Sequence, residues 1–168
     1  MSNPYQALVI GMTMSIPPEV FYLPMAAQNL AAGNCCVVIA GVVTLATTSN
    51  RAGNAPFVPI ESIDNSGGSS GSKTIGGVGP RQRVTVLTVS NLETNDYVKI
   101  SSTDGQVTKF IAGTDDADLI YGRYLSEEGA VFSRSATTPY TETLSGGQKP
   151  LLNALAGDVV IIELEDLG

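Results

Sequence analysis

The chain has 168 residues, enough for one domain or for one domain with an arm, and is 43% hydrophobic but only 15% charged. A net charge of −7 and nine scattered basic residues argue against nucleic-acid binding, which rests on neutralising phosphates with Lys and Arg. There is no histidine. That removes Ser-His-Asp and Cys-His nucleophile pairs, imidazole ligands for zinc and the usual general base at neutral pH.

The first fifty residues carry one charged side chain, Glu19, among Leu8, Val9, Ile10, Met12, Met14, Ile16, Val20, Phe21, Leu23 and Met25. Pro4, Pro17, Pro18 and Pro24 prevent a long helix and suit extended or edge segments. The first basic residue is Arg51, so the positive start of a secretory signal is missing. So apolar a stretch needs cover, either from its own domain or from a partner. Within it, Ala26 to Ala32 reads as a helical turn stopped by Gly33-Asn34. Cys35 to Ala46 is mostly apolar but shorter than the roughly 20 residues of a bilayer span, and reads as one or two buried strands. Adjacent Cys35 and Cys36 would place one small side chain on each face of such a strand.

Residues 51–80 read as a Gly/Ser-rich loop or hinge, with linker composition from Asn65 to Ser72 and a second glycine run at Gly76-Gly77-Val78-Gly79. Residues 81–168 read as a β-rich core domain. Val84 to Val89 is rich in β-branched residues. Asn95-Asp96 turns into an alternating strand, Tyr97 to Ser101, and Asp104-Gly105 signals a hairpin returning through Gln106 to Ile111. Asp115 to Asp118 is a polar corner. Further strands are expected at Leu119 to Leu125, Ala130 to Ser133 and Thr137 to Leu144, and a short helix at Leu151 to Ala156. Val159 to Leu164 is continuously apolar, as a central strand buried on both faces should be.

The surviving chemical options are weak. Asp115, Asp116 and Asp118 and the pair Glu127-Glu128 read as solvated turns, and Leu119-Ile120-Tyr121 breaks the calcium-loop pattern that Asp116-x-Asp118 begins. Ser70-x-x-Lys73 has the spacing of a serine-lysine nucleophile but lies in linker sequence, without the partner motifs. Neither Gly76-Gly77-Val78-Gly79-Pro80 nor Ser145-Gly146-Gly147-Gln148-Lys149 has a phosphate-loop spacing. The chain is therefore expected to be no enzyme and to need no cofactor or metal.

The run Asn95-Asp96-Tyr97-Val98-Lys99-Ile100-Ser101-Ser102-x-Asp104-Gly105-x-Val107 resembles a recurring unit of tailed-phage capsid decoration, or cement, proteins. The resemblance extends to the return segment Ile120 to Leu125, to Gly157-Asp158-Val159-Val160-x-x-x-Leu164, and to an opening strand at Gly41-Val42-Val43-Thr44-Leu45. It covers mostly residues 81–164. It implies a mainly β protein, a small β-barrel or β-tulip-like domain with an extended, proline-containing N-terminal arm in residues 1–50. It also implies a homotrimer on the outer surface of the virion, assembled in the host cytoplasm, that cements major capsid protein subunits without contacting nucleic acid or membrane. The arm residues expected to touch the partner or a neighbouring protomer are Asn3, Pro4, Tyr5, Gln6, Ala7, Leu8, Val9 and Ile10. Other virion building blocks, such as a tail-tube or minor head protein, and a cell-surface-binding β-module are the alternatives.

Overall fold

The computed structural model describes residues 10–13, 15, 18–125 and 153–166. Its first half forms strands β1 (Phe21–Pro24), β2 (Asn29–Leu30), β3 (Cys36–Ile39), β4 (Val42–Leu45), β5 (Ala55–Pro59), β6 (Ile63–Asp64) and β7 (Thr74–Val78). The second half forms β8 (Arg83–Leu87), β9 (Tyr97–Ile100), β10 (Val107–Lys109), β11 (Ile120–Leu125) and β12 (Val159–Leu164), with one 3-10 turn at Ala117–Leu119. The chain is mainly β. One five-stranded sheet has the order β1-β7-β5-β3-β4, a second the order β10-β9-β11-β12-β8, and β2 pairs with β6 in a ribbon. All these pairings are antiparallel. Each five-stranded sheet curls until its outer strands meet, through a parallel bridge of Met25 to Val43 in the first and of Thr88 to Val107 in the second. These are single bridges rather than ladders, so neither sheet is a closed barrel. No described helix is long and apolar enough to cross a membrane.

Side-chain alternation along β3 divides the core. Cys35 and Val37 join a cluster with Val58 and Val78 of the first sheet and with Val84, Val86, Tyr124, Val160 and Ile162 of the second. Cys36 faces the other way, onto Met25, Leu30, Val43, Phe57 and Ile75. Both cysteines are buried and unpaired, one on each face as their adjacency predicts. β12 lies between β11 and β8, and its first four residues are all buried, as a strand covered on both faces requires.

Tyr121 ties the sheets together. The pairing of β11 with β9 slips between Ile120 and Gly122, a bulge that re-aims the intervening side chain. The Tyr121 hydroxyl reaches the first sheet, where it accepts from the Cys36 N–H at 3.0 Å and lies 2.8 Å from the Cys36 carbonyl and 3.1 Å from that of Phe57. Only glycine fits the next position, because a Cβ on Gly122 would sit 2.6 Å from the Glu163 carbonyl.

Several expectations need correction. Residues 51–80 are no hinge, since β5 and β7 lie there and carry the middle of the first sheet. The Asn65 to Ser72 segment is a tied turn rather than a linker. The buried Asn65 amide donates to the Ala26 and Ser69 carbonyls at 3.1 and 3.0 Å, and the Ser72 hydroxyl donates to Asn65 at 3.0 Å. Ala26 to Ala32 is not helical, because Asn29 and Leu30 pair with Asp64 and Ile63. The described part of the expected helix at Leu151 to Ala156 is extended, with Ala154 bonded to Leu92 in both directions. The strands expected at Ala130 to Ser133 and Thr137 to Leu144, and the Glu127-Glu128 pair, lie outside the described residues.

Candidate interaction surfaces

The charge-free N-terminal stretch divides into two parts. From Met25 onward it is core: Met25, Leu30, Cys35, Cys36, Val37, Val43 and Ala46 have no exposed surface. Its own domain, not a partner, covers that part. Upstream, the chain lies along the outside of both sheets. The Gly11 N–H donates to the Thr85 carbonyl at 2.9 Å and the Thr85 N–H to the Met12 carbonyl at 3.0 Å, so this segment adds to the outer edge of β8. The Arg83 N–H donates to the Ser15 hydroxyl at 2.8 Å, and the Glu19 N–H to the Gln82 side chain at 3.2 Å. β1 then pairs along β7.

Of the eight arm residues, Asn3 to Val9 lie outside the described residues. Ile10 is partly buried and packs on the chain's own core, beside Gly33. A side chain on Gly33 would collide with it, which explains a glycine that sequence reading took only for a helix stop.

The outer segment also displays apolar surface. Met12 is 45% exposed, Phe21 47% and Tyr22 69%, so three of the seven exposed large hydrophobic side chains among the described residues fall within eleven consecutive positions. The ladder also leaves a backbone edge open at Tyr22. The Met25 N–H bonds inward to the Lys73 carbonyl, so odd-numbered residues of β1 face β7 and the Tyr22 N–H and C=O face outward. The outer edges of β4 and β10 are covered. The Ala26 N–H donates to Val43 and the Leu45 N–H to the Gln28 side chain at 3.0 Å, which covers β4. The Val89 N–H donates to Val107 and the Lys109 N–H to the Ser90 hydroxyl, which covers β10. Such coverage is how natural sheets avoid indiscriminate edge pairing. Pro24, which has no N–H, ends the open stretch of β1.

Of the carboxylates singled out by sequence, Asp116 and Asp118 lie at the 3-10 turn, and Asp115 is tied within the turn before it. Asp115 forms an ion pair with Lys99 and accepts from the Ile111 N–H at 2.8 Å. The bond from Lys99 is the main reason that its pKa lies below the ordinary aspartate value. Lys73 donates to the Asp64 carbonyl at 2.6 Å and not to Ser70. Burial pushes the Cys35 and Cys36 thiols well above their usual range. No three His, Cys, Asp or Glu residues among those described are grouped to hold a metal ion. Sequence reading missed an open cleft of about 410 Å³, lined by Arg51, Gly53, Ala117, Asp118, Glu165 and Asp166 among others. Its parts come from three separate segments, which no local pattern connects.

No protein-family model matches the chain, and no curated protein matches it.

Proposed function

We propose that this protein is a structural assembly protein that docks on the outer surface of a tailed-phage capsid and cements neighbouring major capsid protein subunits. The observation that carries the reading is the outer N-terminal segment. It follows the rims of both sheets, its one charged side chain among the described residues is Glu19, and it exposes Met12, Phe21 and Tyr22. Apolar side chains gathered on so acidic a chain mark an interaction surface rather than a solvated one. The resemblance of residues 95–107, 120–125 and 157–164 to decoration proteins supplies the partner, the trimeric state and the virion location. In the structure those residues become β9, β10, β11 and β12, adjacent strands of one sheet.

The test is a truncation with a defined boundary. Residues 10–15 help to close the edge of β8, so removing them would weaken the fold as well as any arm. Removing residues 1–9 alone leaves that edge intact. The shortened chain is expected to keep the urea midpoint of the full chain and to lose most of its binding to undecorated heads. Full saturation of those heads by the truncated chain would sink the arm reading.

A further inference from the structure

β1 is an outer strand of the first sheet. Its odd-numbered residues turn their backbone groups inward to β7, as the Met25 N–H does to the Lys73 carbonyl at 2.9 Å, and the Glu19 N–H turns the same way to the Gln82 side chain. By alternation, Val20 and Tyr22 point their N–H and C=O groups outward. On that side neither residue has a hydrogen-bond partner among the described residues.

The nearest strand of the same chain does not reach them. β4 runs parallel to the end of β1 and meets it at one bridge, Met25 to Val43. β4 begins at Val42, just after the turn at Ala40 and Gly41. Residues upstream of Met25 therefore run past the start of β4, and Phe21 and Tyr22 are left in solvent. Of the four outer strands of the two large sheets, β4 and β10 have covered edges and β8 carries residues 11–15. The open strand that a second copy can offer is β1 itself.

We infer that this edge pairs with the same edge of a second copy, antiparallel about a two-fold axis at Phe21. In that register Val20 of each copy lies opposite Tyr22 of the other. Each such pair exchanges both N–H···O=C bonds, so no outward group of either residue stays unpaired. Phe21 meets Phe21 across the axis, an aromatic cross-strand pair. Pro24, which has no N–H to give, falls beyond the bonded pairs.

Charge favours the same edge. Each copy carries −7, so two copies repel unless they meet where charge is sparse. Glu19 is the one charged side chain before Arg51. The register sets the two Glu19 residues about 13 Å apart along the ladder, beyond the ~8 Å screening length of physiological salt. The contact is short, well below the roughly 1,200 Å² that stable interfaces bury. It is therefore weak between free copies and gains strength between copies held side by side. A two-fold contact cannot lie within a three-fold ring, so in the proposed trimer it joins one trimer to the next. That role rests on the capsid reading; the pairing itself does not.

The experiment uses the full chain without heads, so its failure is distinct from failure of the assembly assay. In the inferred register the two Phe21 Cα atoms lie about 4.5 Å apart, within the range that a disulfide bridges. Phe21→Cys is held in a glutathione redox buffer, and linked dimer is read on a non-reducing gel. Met12→Cys, at a position as exposed as Phe21 but outside the pairing, measures chance encounter. The native cysteines are buried and do not compete. Phe21→Cys is expected to give at least about tenfold more linked dimer than Met12→Cys, the advantage of a populated pair over random collision. Tyr22→Pro removes an outward N–H and no bond to β7, so adding it to Phe21→Cys is expected to bring the yield down to the Met12→Cys level. An unchanged urea midpoint would show that the Pro variant is folded. Equal yields from Phe21→Cys and Met12→Cys would overturn the inference, as would a Phe21→Cys yield that a folded Tyr22→Pro variant leaves unchanged.

Discussion

Replacing Tyr121 by Phe removes one oxygen atom from a site that has no access to water. That oxygen accepts from the Cys36 N–H and lies within hydrogen-bond distance of the Cys36 and Phe57 carbonyls, between β3 and β5. The phenylalanine ring refills the volume, so no cavity is expected to form. What remains is a buried N–H deprived of its hydroxyl acceptor and one carbonyl short of a donor, since a hydroxyl gives its single proton to one acceptor at a time. An orphaned buried donor costs about 1–3 kcal/mol, and each lost net hydrogen bond about 0.5–1.5 kcal/mol. The combined expectation is a loss of about 2–4 kcal/mol. Urea unfolding followed by far-UV circular dichroism measures it. With a slope of about 1–3 kcal/mol per molar, the midpoint should fall by about 1–3 M while the slope stays constant. Tyr22→Phe is the control: Tyr22 is 69% exposed, and its loss should change stability by less than about 0.5 kcal/mol. If Tyr121→Phe unfolds at the same urea concentration as this control, the hydroxyl does not hold the sheets together.

Three further outcomes can be checked with the same chain. The Asp115 pKa is depressed, chiefly by its bond from Lys99, so the contribution of this pair is present above the unfolded aspartate value of about 4 and is lost as pH falls through the lower folded value. The stability gap between wild type and Asp115→Asn should therefore close during acid titration; a gap that stays constant with pH would contradict the assignment. Gly77→Ala places a Cβ 2.5 Å from both the Phe57 ring and the Val58 carbonyl, whereas at Gly67 a Cβ meets nothing within 4 Å. The first substitution should cost about 1–3 kcal/mol by overpacking and the second almost nothing; equal melting curves would refute the close approach at Gly77. Cys35 and Cys36 are buried thiols of raised pKa, so an aromatic disulfide reagent at neutral pH should modify them only as fast as the protein unfolds. Rapid labelling in the native state would show that one of them is reachable.

The second sheet was largely legible because its strands obey local rules. β9 alternates and ends toward an Asp-Gly hairpin, and β12 is a run of apolar residues placed centrally. The first sheet was obscured because its strands break those rules. β5 contains Pro56 and Pro59, and β7 is a five-residue strand with two adjacent glycines. Pro56 costs no ladder bond: by the alternation that points Val58 toward Val78, its nitrogen faces past the last residue of β7. The glycines of β7 are used for contact, with the Phe57 and Tyr22 rings lying where Cβ atoms would be. The β3–β4 hairpin carried no Asn-Gly or Asp-Gly signal. It turns at Ala40 and Gly41, both with positive φ (49° and 81°), the conformation of a tight hairpin turn but with alanine at the first position. At the candidate surfaces, low charge pointed to the N-terminal segment. Only tertiary structure separates its buried part from its exposed rim, and only tertiary structure assembles the Arg51 cleft from residues far apart in sequence.

A small β protein with most of its described sheet edges covered is built to resist indiscriminate pairing, while its outer segment leaves Met12, Phe21 and Tyr22 in solvent. The proposed role requires that this protein recognise an assembled lattice rather than a lone subunit. Sedimentation of the full chain with tailed-phage heads stripped of their outer proteins tests this most directly. The account predicts saturable co-sedimentation at a fixed number of copies per head, and heads that withstand higher temperature once loaded. A chain that stays in the supernatant at every concentration, or that binds without saturating and leaves the heads no more stable, would contradict it.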